Sequence, residues 1–362
     1  MVHLRTLRVL RETAFAEVGS LADMASPKGW PSRSSPQASE GWRRERDSNP
    51  RNPSGFSGFQ DHRHRPLGHL SALSILFEAG KIQDMRTLEG IRVVTTAVNV
   101  PGPVAVAMLR DKGATVVKVE PPGGDPLSRW APRWYSELCA GIDVLRLDLK
   151  SPDGRGRLDA LLASADLLIT STRPRSLQRL GLAWIDLHTR HARLCHVAIV
   201  GYTPPHEDRS GHDLTYQAEA GLLTPPSLPV TLVADLSGAQ RTVVEALDLL
   251  FARERGGAAG RADVALADCA TLFAEPLRHG LTASAGLLGG GCPAYGIYPA
   301  RDGWVAVAAL EPQFRAALAR LLEVDVENRA ALAGALREKP ASEWQQWAET
   351  HDLPVHVVNM PG

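Results

Sequence analysis

The 362-residue chain balances 40 Lys and Arg against 40 Asp and Glu and is 44% hydrophobic. That composition suits a globular protein and argues against a nucleic-acid partner. Its four cysteines, Cys139, Cys195, Cys269 and Cys292, lie far apart without metal-like spacing, so neither a disulfide scaffold nor a metal site is expected. No apolar run approaches the roughly 20 residues of a membrane span, and a soluble, cytoplasmic protein without a membrane partner is expected.

Residues 27–66 are crowded with Pro, Ser, Gly and Arg and show neither a 2-residue nor a 3.6-residue apolar period. Such a stretch cannot bury enough surface to offset its ordering entropy. Residues 1–84 are therefore expected to be disordered. ERDSNPR followed by PLGHLS also resembles translated upstream sequence of stable-RNA genes, so this segment is read as a spurious extension, with the biological start at Met85. It carries 12 Lys and Arg against 9 Asp and Glu, leaving 28 against 31 for residues 85–362. The body is mildly acidic.

From Met85 onward strands and helices alternate. IRVVTTAV (91–98) reads as a strand, PGP as a turn with Pro103 suited to a first helical position, and VAVAMLRDKG as a helix closed by Gly113. TVVKVE (115–120), VLRLDL (144–149), ADLLIT (165–170) and LCHVAIV (194–200) read as further strands. DGRGRLDALLASA and SLQRLGLAWIDLHTRHA read as the helices between them. This alternation predicts an α/β chain with a Rossmann-like parallel sheet.

A long helical pattern follows Asp235, VALADCATLFAEPLRHGL reads as another helix, and GLLGGG (286–291) is a break before the strand WVAVAAL. EPQFRAALARLL and the segment up to WQQWAE read as helical. The expected organisation is a large domain over 85–285 and a smaller α+β domain over 286–362.

Ligands of such sheets sit beyond the carboxyl ends of the strands. That directs attention to PGP, EPPGGD, TSTRPR and GYTPPHEDRSGHD. No GxGxxG follows the first strand, which disfavours a dinucleotide. His212 stands in the last of these loops, where an exposed or helix-capping histidine is the plainer reading. Asp213 and Asp235 each fit a helix N-cap, and the Asp213 N–H, at a helix start, suits an anionic oxygen. Glu311 before Pro312 suits a solvated turn, and Arg173 and Arg175 suit a solvated or phosphate-gripping pair. Moving a proton beside a carbonyl needs a base on one face, an acid on the other and donors for the enolate oxygen. His212 and Asp235 are residue types that fill the first two roles.

LEGIRVV, PGP, RDKGATVVKVEPPGGDPLSRW, LDLK, ADLLI, RP, RLGL, GHDLTYQAEAGLL, ADLSGA, ALDLLFARERGG and PAYGIYPARDGWVAV occur in an order that resembles the family III CoA-transferase (CaiB–BaiF) superfamily. The resemblance spans residues 85–355 and implies the family III CoA-transferase fold. It also implies an acyl-CoA thioester as substrate, with coenzyme A arriving in it rather than bound permanently, and an interlocked homodimer. Transferases of the superfamily use an aspartate matching Asp235 as nucleophile, and racemases use it for proton transfer.

GHD and LEPQF resemble the α-methylacyl-CoA racemase subgroup. There His212 matches the opposite base, Glu311 the glutamate that hydrogen-bonds it, Tyr295 a nearby tyrosine and the Asp213 N–H the enolate donor. Arg173 and Glu120 match positions expected to hold CoA. The chain departs from the superfamily at Cys139, Ile142 and Asp143, where many members carry an Asn-x-x-Lys-Arg set. Val100 replaces the glutamine that many transferases place before the first GP, RPG has become RPR, and many relatives extend beyond HDLPVHVVNMPG. Racemase-type 1,1-proton transfer at the α-carbon of a 2-methylacyl-CoA is the leading expectation. CoA transfer to a carboxylate through an Asp235 covalent intermediate is the alternative, and a degenerate acyl-CoA-binding subunit the third.

Overall fold

Six short strands rich in Val, Leu and Ile form a wholly parallel sheet in the order β3-β2-β1-β4-β5-β6. The structure, a computed structural model, describes residues 86–360, so the expectation for residues 1–84 lies outside the described residues. The chain runs β1 (Arg92–Thr95), α1 (Pro101–Asp111), β2 (Thr115–Glu120), α2 (Leu127–Trp130), α3 (Pro132–Leu138), β3 (Asp143–Arg146), α4 (Pro152–Leu162) and β4 (Leu167–Thr170). It continues through α5 (Pro174–Arg179), α6 (Trp184–Arg190), β5 (Cys195–Val200), α7 (Asp213–Ala220), α8 (Val233–Glu254), β6 (Arg261–Ala265), α9 (Leu266–Phe273) and α10 (Glu275–Arg278). Every residue of β4 and β5 is buried, as expected of strands covered on both faces.

Because side chains alternate along a strand, neighbouring residues feed two cores. Val93, Leu167, Ile169, Val197 and Ile199 pack with Val106 and Leu109 of α1 and Val243 of α8 on one face. Val94, Val119 and Leu168 pack with Leu158, Leu162, Leu177 and Leu187 of α4 to α6 on the other.

A turn over Leu287–Gly291 leads to β7 (Tyr295–Pro299), β8 (Trp304–Ala308), α11 (Pro312–Leu322), α12 (Arg329–Leu336), α13 (Ala341–His351) and β9 (Val355–Val357). These strands form an antiparallel sheet, β7-β8-β9, with its own core around Tyr298, Val305, Val307, Leu318, Leu332 and Trp344.

Several expected elements are corrected. The segment 264–281 is not helical throughout: RADVA is the sixth parallel strand, paired with β5, and the helix starts at Leu266. The single helix expected over 176–192 divides at Gly181, which has φ 68°. Pro101, not Pro103, takes the first helical position of α1. Gly113, at φ 99°, follows the C-cap of that helix as expected. Among the described residues no helix is long and apolar enough to cross a membrane.

Candidate active site

In the order 3-2-1-4-5-6 the direction of winding reverses between β1 and β4, and a crevice opens beyond the carboxyl ends of those strands. Local bonds hold it open. Ser171 Oγ, just past β4, accepts the Val98 N–H at 3.0 Å. Asp125 Oδ1, from the loop after β2, accepts the Asn99 N–H at 3.0 Å and fixes Asn99 at φ 68°. Gly102 lets α1 begin directly against the strand end, since a Cβ there would lie 2.5 Å from the Ala97 Cβ.

The loop after β5 closes the crevice and delivers His212. Gly211 permits this approach, because a Cβ on it would sit 2.4 Å from the Tyr216 ring. His212 is the N-cap of α7, correcting the expectation that Asp213 holds that position. Its N–H donates to Thr215 Oγ1 at 3.0 Å and its carbonyl accepts the Thr215 N–H at 2.8 Å, so the His212 backbone and the Thr215 hydroxyl satisfy the cap and the exposed imidazole is left to the cavity. Asp213 takes the first helical position, where an N–H has no acceptor within its own helix.

The Asp213 side chain, 4% exposed, caps a different helix. Oδ1 accepts the Asp235 N–H at 3.1 Å and Oδ2 accepts from Gln217 Nε2 at 2.5 Å. Asp235 is therefore the third residue of α8 rather than its cap. Burial, and then the neighbouring Asp213 charge, push the Asp235 carboxyl up to about 7.

His212, Asp213, Asp235 and Arg173 line one cavity of about 430 Å³. Arg173 Nη2 donates to Ser210 Oγ at 3.0 Å. Asn99, Ser171, Glu207, Arg209, Trp130 and Tyr216 also line it and were not singled out in the sequence. The loop GYTPPHEDRSGHD marked the place, but charge alone did not separate Glu207 and Arg209 from solvated residues. Burial, then Tyr202 and Asp235, push the Tyr216 phenol up to about 12, so it is a hydrogen donor at neutral pH.

Four sequence candidates lie elsewhere. Glu120 is not a cavity residue; it is 2% exposed and turned into an ion cluster. Lys118 Nζ donates to Glu120 at 2.5 Å and to Asp125 at 2.8 Å, and the Tyr135 hydroxyl donates to Glu120 at 2.5 Å. Burial alone would raise the Glu120 carboxyl, but Lys118 and Tyr135 outweigh it and hold it below the usual range. Glu311 is exposed at the N-cap of α11, and Tyr295 begins β7; neither lines the cavity of its own chain. Arg175 pairs with Asp208.

A larger groove of about 540 Å³ lies between α4 and α6, but its Asp159 is already held by Arg190 and His191. Among the described residues no group of three or more His, Cys, Asp or Glu is placed to hold a metal ion.

The family model for CoA-transferase family III matches residues 88–362. This chain belongs to CoA-transferase family III. Among family relatives, the α-methylacyl-CoA racemase of Homo sapiens is 29% identical over 302 residues, covering 75% of this chain and 77% of the racemase. The succinyl-CoA–D-citramalate CoA-transferase of Chloroflexus aurantiacus is 27% identical over 249 residues, covering 62% of each chain. The chain thus spans about three fifths of that transferase. A crystal structure of a hypothetical protein from Mycobacterium tuberculosis superimposes with a TM-score of 0.67 at 26% identity, covering 75% of this chain and 85% of the other. The parallel sheet with its small antiparallel companion is the fold of family III CoA-transferases.

Proposed function

We propose that this family III member moves a proton at the α-carbon of a 2-methylacyl-CoA thioester, the racemase-type 1,1-proton transfer. The observation that carries the reading is that His212 and Asp235 line one cavity while the Asp235 carboxyl is held up to about 7. A carboxyl at that value is protonated in about half the molecules at neutral pH, as an acid opposite a basic imidazole requires. His212 removes the α-proton, Asp235 returns one on the opposite face, and the Asp213 N–H stabilises the enolate oxygen. Arg173 supplies charge for the CoA portion, which enters and leaves with the substrate.

Glu311 and Tyr295 enter this scheme from a second copy of the chain. In an interlocked homodimer the small sheet of one copy covers the cavity of the other, and Glu311 then polarises His212. Val244, Phe251, Leu272 and Phe273 on α8 and α9 are 52–63% exposed, an apolar surface of the kind that subunit contacts cover.

CoA transfer is the second reading. It is favoured by relatives named as CoA-transferases and by the place of Asp235 at the start of a long helix, where a carboxylate nucleophile is stabilised.

Incubation with mixed acyl-CoAs in D2O, with and without carboxylate acceptors, separates the two by mass spectrometry. The expected result is deuterium gain on 2-methylacyl-CoAs without change of thioester. New thioesters, with no deuterium gain, would overturn the proton-transfer reading.

A further inference from the structure

The Asp213 side chain holds a place that proton transfer through its backbone does not use. It is buried between two helix N-termini, and each carboxylate oxygen has one N–H donor: the Asp235 amide and Gln217 Nε2. Gln217 Nε2 also donates to the Thr231 carbonyl at 3.2 Å. One carboxylate thereby ties α7 to the segment that enters α8.

We propose that the Asp213 carboxylate is a positioning residue for Asp235, fixing its backbone through Oδ1 and, by its charge, keeping a proton on the Asp235 side chain. This deepens the proton-transfer reading and rests on it for its purpose. Both Asp213 oxygens accept an N–H, the contacts that hold its carboxylate beside Asp235. A like charge beside a second carboxyl opposes its ionisation. Burial and Asp213 are the two causes that raise Asp235.

The other groups around Asp235 divide by element. His212 and Tyr216 come from α7 and its cap, Arg173 from the loop after β4, and Glu207 and Arg209 from the loop after β5. Strand β5 and helices α1 and α9 present Ile199, Val200, Pro101 and Leu266. Asp263 of β6 and Asp268 of α9 line a separate groove. Arg173 and Arg209 bring positive charge to the same cavity, and Asp213 is the carboxylate hydrogen-bonded to the Asp235 backbone.

Asp213→Asn is nearly isosteric: its amide oxygen still accepts from the Asp235 N–H, while a Gln217 amide rotated to accept from its NH2 gives up the bond to the Thr231 carbonyl. The charge is lost and the bond to the Asp235 backbone kept. With aspartate labelled with ¹³C at the side-chain carboxyl, the resonance absent in Asp235→Asn reports this group directly. In Asp213→Asn the midpoint is expected to fall until the ionised fraction at pH 6 rises roughly fivefold. The acid limb of the exchange rate should move with it.

An unchanged midpoint in a folded Asp213→Asn protein would overturn the proposal, as would a wild-type midpoint near 4. Asp213→Ser, which also keeps an acceptor, provides the same reading if the amide variant does not fold. Loss of turnover at every pH with the midpoint unmoved would leave Asp213 a purely structural clamp. Because the titration needs no substrate, it stands or falls separately from the proton-transfer reading: transferase products with a moved midpoint sink only the latter.

Discussion

Holding a proton near neutrality sets Asp235 against the stability of its own fold. A carboxyl whose folded pKa, about 7, lies above its ordinary 3.8 binds a proton more tightly folded than unfolded. Its favourable contribution is complete below about 3.8 and is lost as pH rises through about 7. Each unit is worth about 1.4 kcal/mol, and water in the open cavity screens part of it, so the ionised side chain costs on the order of a few kcal/mol at pH 8. Asp235→Asn removes that charge. It is expected to melt above wild type at pH 8, with the gap closing as pH falls to 4, while deuterium exchange is lost. Thermal melts across this range check the sign: a variant less stable at pH 8 than wild type would mean that burial does not penalise the native carboxylate.

At the scale of elements, KVEPPGGD shows how a motif can be found and its purpose misread. Sequence placed it at a strand end near the crevice, and that position holds. The family resemblance assigns Glu120 to CoA. Only the tertiary fold shows Lys118, 0% exposed, lying between Glu120 and Asp125, because a lysine within TVVKVE reads equally well as an edge or solvent residue.

The cluster acts on the site indirectly, since Asp125 also holds the Asn99 N–H. Lys118→Met leaves two buried carboxylates without their cation and is expected to cost about 3–5 kcal/mol. Glu120→Gln should lower stability while leaving the KM for acyl-CoA unchanged. Urea denaturation and substrate titration separate the two roles: a raised KM with unchanged stability would return Glu120 to the ligand.

The same limit explains the misread helices and caps. RADVA carries Arg261 and Asp263 among its five residues, and its continuation LADCATLF is too helical for periodicity to reveal a sixth strand. Asp213 is a good cap by type, but its carboxylate is drawn to the neighbouring helix by a contact 22 residues away. By contrast, the apolar runs of the five preceding strands, the glycine after α1 and the loops at the strand ends were legible, because local pattern alone marks them.

At the scale of the whole molecule, the candidate site is divided. His212 and Asp235 lie in one cavity, whereas Glu311 and Tyr295 belong to the small-sheet region and do not line it. If Glu311 polarises His212 across an interlocked homodimer, each site takes its histidine from one copy and its glutamate from the other. His212→Ala and Glu311→Ala homodimers then carry the same defect in both sites. A mixed dimer concentrates both substitutions in one site and leaves the other with native His212 and native Glu311. Co-expressing the two variants under different affinity tags and purifying the doubly tagged dimer should therefore restore about half the wild-type exchange rate, as one of two sites per dimer is whole. If both residues instead served the site of their own chain, every site in the mixed dimer would lack one of them, and the rate would stay at the level of the single variants.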